Sequence, residues 1–155
     1  ELFKNGKVIT LNLGLAFTSN EFKAGIAKGV QFMADNEAPY YFHCLEGKDR
    51  AGYMAVFLES LMGATKEEII DDYMKSYENY YKVTKNSKQY EYIKNDVITM
   101  MESIAGGKDL SVEKLTKGAE DTLLANGVKA ETITRLKEKL SGNKTALADS
   151  FKMAA

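Results

Sequence analysis

Residues 41–52 read Tyr-Phe-His-Cys-Leu-Glu-Gly-Lys-Asp-Arg-Ala-Gly, and they contain the chain's single cysteine, Cys44. Arg50 follows six residues later, with Gly47 between the two. Five intervening residues are enough to wrap an anion of the size of phosphate, because backbone N–H groups at the start of a helix can converge on one ligand. The stretch therefore predicts an apolar strand, an anion-binding loop and a helix, in that order.

The residue types in this loop suit nucleophilic attack on phosphorus. A cysteine that faces several amides and a guanidinium should be a thiolate, which is the reactive form. Arg50 can bind two phosphoryl oxygens with its planar fork. Lys48 adds positive charge at the rim, and Asp49 brings a carboxyl group within reach of a leaving-group oxygen. Gly47 permits a left-handed backbone or a close approach to the anion, and Gly52 lets the next helix pack closely against the strand.

Several of these residues also have simpler interpretations. A lone cysteine after an apolar strand is usually a buried core residue, and the Cys-x5-Arg spacing alone is common. Asp49 could cap the helix instead of donating a proton, so both roles stay open. His43 should point away from the cysteine sulfur, because side chains alternate along a strand. Glu46 is expected to face solvent, because a carboxylate repels a phosphate dianion.

The full string His-Cys-x-x-Gly-Lys-Asp-Arg-x-Gly resembles the signature of the Cys-x5-Arg protein tyrosine phosphatase superfamily, in particular its bacterial Gly-Lys-Asp-Arg branch. The likeness continues in residues 32–39, in Asp72-Tyr73-Met74 with Ser76, and in a Gly-Val-x-x-Glu-x-Ile-x-x-Leu pattern within residues 124–140. It thus covers most of the chain. Members of that branch act on phosphotyrosine, and some act on phosphoserine, phosphothreonine or phosphoinositides.

The resemblance implies a role for each residue of the loop. Cys44 would be the nucleophile that forms a phosphocysteine intermediate, Arg50 would bind the phosphoryl group, and Asp49 would be the proton donor. The substrate-binding residues would be Leu45, Glu46, Gly47, Lys48, Asp49 and Arg50. The supporting residues would be His43, Ala51 and Gly52, with the histidine behind the thiolate.

One position departs from the family pattern. The residue after the arginine is usually threonine or serine, whose hydroxyl helps the intermediate to hydrolyse, whereas this chain has Ala51. We therefore expect slower hydrolysis of the phosphocysteine and an intact anion site. The alternatives to a protein-tyrosine or dual-specificity phosphatase are a weakly active or non-catalytic phosphate-binding pseudophosphatase and, because of Lys48, a phosphoinositide phosphatase. A rhodanese-like sulfur transferase is a third, against which the Gly-Lys-Asp-Arg string argues.

The composition predicts one domain with its own core, spanning residues 1–155. The chain is 45% hydrophobic, and its net charge of −1 without a basic block argues against nucleic acid or an anionic membrane as partner. One cysteine excludes an intrachain disulfide, and one histidine argues against a metal site. No cofactor is expected. The expected partner is a phosphorylated protein or peptide, with a phosphoinositide as the alternative.

The sequence leaves the compartment open. No run is long enough to span a membrane and no signal peptide is visible, so we expect a soluble protein, cytoplasmic or secreted. The chain begins with Glu1 rather than methionine. The resemblance therefore implies the C-terminal part of a longer phosphatase, whose missing N-terminal segment could be a partner.

Periodicity predicts strands over residues 8–13 and 40–43 and helices over residues 20–35, 51–62, 65–81, 87–105, 111–126 and 130–140. The predicted fold is α/β and protein tyrosine phosphatase-like, rich in helices, with few strands and without the upstream strands of the full domain. Residues 64–141 would form a helical subdomain, and the tail after Gly142 should be loosely held. A stripe of tyrosines on the third helix would be packing or a wall for a phenyl phosphate: Tyr73, Tyr77, Tyr80 and Tyr81.

Overall fold

Six helices follow one another in the computed structural model, which describes residues 4–142. They are α1 (Asn20–Asp35), α2 (Arg50–Leu61), α3 (Lys66–Tyr81), α4 (Lys88–Ala105), α5 (Val112–Ala125) and α6 (Ala130–Leu140). All six were predicted, with bounds that differ by at most a residue or two. The predicted loosely held tail lies outside the described residues.

Hydroxyl side chains mark the starts of three helices. Ser19, Thr65 and Ser87 each accept a hydrogen bond from the backbone N–H three residues further on. At the start of α3 the Glu68 carboxylate also accepts the Thr65 N–H at 2.8 Å, which completes a capping box. Such a cap stabilises a helix by about 1 kcal/mol, so local chemistry explains why these bounds could be found from the sequence.

The nearly apolar helix α2 lies at the centre of the core. Its side chains Tyr53, Val56, Phe57 and Leu61 are buried, and it packs against α3, α4 and α5. Burying one such side chain contributes about 1.5–3 kcal/mol. Because Arg50 is the first residue of α2, the loop before it ends on a firmly held helix.

Close contacts between helices rely on glycine. Gly118 of α5 lies directly against the backbone carbonyl of Ile104 in α4, where a Cβ atom would collide. On α1, Gly25 and Gly29 lie one helical turn apart and receive the side chains of Leu13 and Leu11 respectively. The segment before α1 is therefore docked on α1 through a glycine notch.

The predicted α/β fold is wrong for the residues that the structure describes, because residues 4–142 contain helices and no strand. Residues 8–13 and 40–43 were predicted as strands, but no backbone hydrogen bond joins one segment to the other. A strand requires a neighbour that supplies N–H and C=O partners. The alternation of Leu11 and Leu13 instead serves their docking on the glycine notch of α1.

No helix within residues 4–142 is long and apolar enough to cross a lipid bilayer.

Two carboxyl groups face each other between α2 and α3. Glu59 of α2 is half-buried and faces Asp72 of α3. Burial raises the pKa of Glu59 to about 8, the Asp72 carboxylate adds to the rise, and Lys75 opposes it. Glu59 is therefore protonated at neutral pH in the folded protein.

This raised pKa predicts a pH-dependent stability. An unfolded glutamate has a pKa of about 4.3, so between about pH 4.3 and 8 the folded protein retains a proton that the unfolded chain has lost, and stability falls as pH rises. Glu59→Gln removes this dependence. In urea unfolding we expect the free energy of unfolding of the variant to exceed that of the parent chain most at about pH 8.5 and to match it near pH 4.5.

The matched control is Glu113→Gln, which changes an exposed glutamate in the first turn of α5. It should leave the pH dependence of unfolding as in the parent chain. An equal gain for Glu59→Gln at both ends of the pH range would contradict the assignment.

Candidate active site

The loop of residues 44–49 runs directly into the N-terminus of α2. Gly47 has a φ of +77°, in the left-handed region that side chains rarely adopt, so the predicted reason for this glycine is confirmed. Asp49 occupies the N-cap position, but its side chain makes no capping hydrogen bond. The Leu45 side chain is exposed.

Backbone N–H groups of the loop and of the first turn of α2 lower the pKa of the Cys44 thiol. Burial alone would raise the pKa of this thiol, but the N–H groups of Ala51, Gly47, Glu46 and Arg50 together hold its pKa below the ordinary value. Donors that point at a sulfur favour its charged form. The loop thus stabilises a thiolate at its base.

Arg50 is held in place from the far side of the site. Its Nη1 donates to the carbonyl of Leu13 at 3.1 Å, which joins the segment before α1 to the loop. Its Nε is buried and has no hydrogen-bond partner among the described residues. A buried donor without a partner is costly, so this N–H is suited to an incoming oxyanion.

A chain of charged and polar groups runs from the loop to the end of α3. Lys48 Nζ lies 3.2 and 3.3 Å from the two carboxylate oxygens of Asp49 and 3.3 Å from Glu46 Oε2. The Tyr81 hydroxyl donates to the same Glu46 oxygen at 2.9 Å. The Asp49 carboxylate, followed by Glu46, raises the pKa of Lys48. The Tyr81 hydrogen bond, followed by Lys48, lowers the pKa of Glu46.

The sequence analysis missed this contact of Glu46. Its side chain is 53% exposed, as expected for a residue that faces solvent, yet its carboxylate binds Tyr81 and Lys48. Glu46 and Tyr81 are 35 residues apart, so nothing in the local pattern predicted the pair.

The tyrosine stripe of α3 divides into two parts. Tyr73 is buried against Gly52, where a Cβ atom would lie 2.6 Å from its ring. Tyr77 stacks on Tyr73 with ring centroids 5.7 Å apart. Tyr80 is 80% exposed and Tyr81 is 41% exposed. Packing therefore explains the first two tyrosines, whereas the last two lie at the rim of the loop.

His43 is exposed, at the position directly before Cys44. Its Nδ1 is 3.2 Å from the carbonyl oxygen of Cys44. The imidazole thus contacts the cysteine backbone, a position from which it can orient the loop.

The tyrosine phosphatase family profile matches residues 10–142. The chain belongs to the tyrosine phosphatase family. Neither the comparison with curated proteins nor the comparison with solved structures gives a match. Membership confirms the predicted superfamily and indicates a hydrolase of the phosphatase class. The bacterial branch stays a prediction.

The match to the tyrosine phosphatase family includes every residue of the candidate site. Leu13, Cys44, Arg50 and Tyr81 all lie between residues 10 and 142. Within the part of the chain that the structure describes, no three His, Cys, Asp or Glu side chains are placed to hold a metal ion.

The lowered pKa of Cys44 predicts how the rate of its reaction with iodoacetamide depends on pH. Only the thiolate is alkylated, so the rate should reach half of its maximum at a lower pH than the rate for free cysteine does. Mass spectrometry of the single adduct measures the rate at each pH.

Free cysteine in the same buffers is the reference. Added phosphate should slow the alkylation of the protein but not the alkylation of free cysteine. A half-maximal pH equal to that of free cysteine would refute the stabilised thiolate.

Proposed function

We propose that this chain hydrolyses phosphate monoesters through a phosphocysteine intermediate on Cys44. The observation that carries the proposal is the position of Cys44 at the start of the loop that runs into the N-terminus of α2, where backbone N–H groups lower the pKa of its thiol. A thiolate is the nucleophilic form. The same N–H groups are suited to the phosphoryl oxygens that surround the sulfur during attack.

The reaction has two displacements. The Cys44 thiolate attacks phosphorus, so that an S–P bond forms while the ester P–O bond breaks. Arg50 neutralises the negative charge of the phosphoryl oxygens, and its buried Nε, which has no hydrogen-bond partner among the described residues, can donate to one of them. Water then attacks the phosphocysteine: a P–O bond forms while the S–P bond breaks, Asp49 takes up the proton that the water loses, and inorganic phosphate and the Cys44 thiolate are released. Positioning and electrostatics supply most of the rate enhancement in such transfers.

Asp49 is the proton donor in this proposal. The alternative role as a helix cap has less support, because the Asp49 side chain makes no capping hydrogen bond. Lys48 Nζ lies 3.2 Å from Asp49 Oδ2 and holds this side chain beside the loop. To act as the acid, Asp49 must take up a proton before the substrate reacts, and it regains that proton from the water that attacks the phosphocysteine. A donor at this position can protonate the oxygen that leaves.

The proposed substrate is a phosphotyrosine in a protein or peptide. Tyr80 and Tyr81 form an exposed aromatic edge at the rim of the loop, with ring centroids 4.9 Å apart. Aromatic edges favour flat aromatic partners. This edge supports a phenyl phosphate as substrate.

The second candidate function is that of a phosphatase-like protein in which the second displacement, hydrolysis of the phosphocysteine, is slow or blocked. Ala51 supplies a backbone N–H to the sulfur but has no hydroxyl to assist hydrolysis of the intermediate. Such a protein would form phosphocysteine and turn over poorly, as in a phosphate-binding pseudophosphatase.

The decisive measurement is hydrolysis of para-nitrophenyl phosphate in the presence of reductant and chelator. We expect turnover by the parent chain and none by Cys44→Ser. Arg50→Lys should lower kcat/KM by about a hundredfold or more, because an ammonium cannot replace the bidentate fork. Turnover that survives Cys44→Ser would refute the proposal.

Rapid mixing distinguishes the two candidates. A burst of one equivalent of nitrophenol followed by slow release would favour the second candidate, and Ala51→Thr should then speed the slow phase. Linear release from the first turnover would favour the full hydrolase.

Removal of the proposed proton donor should depend on the leaving group. Asp49→Asn should slow phenyl phosphate, whose leaving group needs a proton, by about a hundredfold. It should slow para-nitrophenyl phosphate much less, because nitrophenolate leaves without one. Equal losses on both substrates would assign Asp49 to loop structure instead.

A further inference from the structure

A groove of about 430 Å³ lies beside the candidate loop, between the loop and the C-terminal half of α3. We call it the rim groove. It is lined by Glu46, Gly47, Lys48, Asp72, Lys75, Ser76, Asn79, Tyr80 and Tyr81. Because the loop itself forms one wall, groups next to a bound phosphate would enter this groove. The inference below rests on the proposed function for the identity of that phosphate.

Both lysines of the rim groove are paired with carboxylates. Lys48 contacts Glu46 at 3.3 Å and Asp49 at 3.2 Å. Lys75 lies 3.4 Å from Asp72. The two positive charges are thus balanced within the groove and its edge, and the groove is not the cationic patch that a substrate with several phosphates would favour.

Glu46 is fixed at the entrance to the rim groove. One oxygen, Oε2, accepts the Tyr81 hydroxyl at 2.9 Å and contacts the Lys48 ammonium at 3.3 Å. Tyr81 is the last residue of α3 and Glu46 belongs to the loop. The contact therefore holds a carboxylate at a set place between two elements, and it ties Lys48 to the wall of the groove.

We propose that Glu46 is a specificity-determining residue, which selects phosphopeptides with neutral or basic residues next to the phosphorylated residue and disfavours substrates with a second anionic group there. A neighbouring acidic side chain, or a neighbouring phosphate on an inositol ring, would meet the Glu46 carboxylate. It would also find Lys48 already paired.

The size of the effect follows from Coulomb's law. Two like charges several ångströms apart near a protein surface repel each other enough to change binding by about three- to tenfold, and salt screens this repulsion. A basic neighbour should gain from the same carboxylate by a similar factor.

The test uses three phosphotyrosine peptides that differ only in the residue after the phosphotyrosine: glutamate, alanine or lysine. Binding is measured to the full chain carrying Cys44→Ser, which cannot turn them over, and kcat/KM is measured with the parent cysteine. At low salt we expect the lysine peptide to bind best and the glutamate peptide to bind worst, by about three- to tenfold against alanine. High salt should compress the series.

Glu46→Gln should abolish the order, because its amide keeps the shape and a hydrogen-bond acceptor for Tyr81 but loses the charge. The matched control is Glu131→Gln, an exposed glutamate of α6, a helix that packs on α1 and α5. It carries the same change in net charge and should leave the order intact. Tyr81→Phe removes the hydroxyl but keeps the carboxylate, so the order should persist in weaker form.

Three results would overturn the inference. The first is that Glu46→Gln keeps the order of affinities for the three peptides. The second is that the parent chain prefers the glutamate peptide, or prefers vesicles with a polyphosphorylated inositol lipid to phosphotyrosine peptide. The third is that no peptide binds. Failure of the proposed function is seen separately, as absence of para-nitrophenyl phosphate hydrolysis. The binding series decides the role of Glu46 even then.

Discussion

The burial of α2 is the constraint on which the candidate site depends. Four of its large side chains are buried in the core, and it packs against α3, α4 and α5. Arg50 begins this helix, and the backbone N–H groups of Arg50 and Ala51 face the sulfur of Cys44. A loop whose last donors belong to a buried helix is preorganised, so little reorganisation is needed when an anion binds.

Electrostatics divides the loop into two parts. At its base, donors surround the sulfur and favour negative charge. At its rim, Lys48 is shared by two carboxylates, and one of these also binds Tyr81. Charge is thus concentrated where the phosphoryl group would bind and balanced where the rest of a substrate would lie. This division follows from one additional carboxylate, Glu46, and from the helix end that orients it.

The sequence was most informative where local chemistry decides the structure. Hydroxyl caps such as Thr65 and the positive φ of Gly47 are properties of short segments, so helix starts and the loop turn could be predicted. The spacing of Cys44 and Arg50 likewise predicted a loop that runs into a helix, and α2 begins at Arg50. The predicted strands were wrong because an alternation of apolar residues indicates which side chains are shielded from water, but it does not indicate which element they pack against. Leu11 and Leu13 are partly buried and pack on helix α1 at Gly29 and Gly25 respectively. The contact of Glu46 with a distant tyrosine has no local signature at all.

The hydrogen bond from Arg50 to the carbonyl of Leu13 joins residues that are 37 positions apart. Leu13 is itself packed on Gly25 of α1, so the arginine connects α2 to α1 through Leu13. Two binding events that share one side chain are thermodynamically linked, and the coupling acts equally in both directions. An oxyanion bound as proposed would order the guanidinium and so strengthen the attachment of the segment before α1, and loosening that segment would weaken the binding of the oxyanion. The proposed anion site and the docking of this segment would then form one cooperative unit.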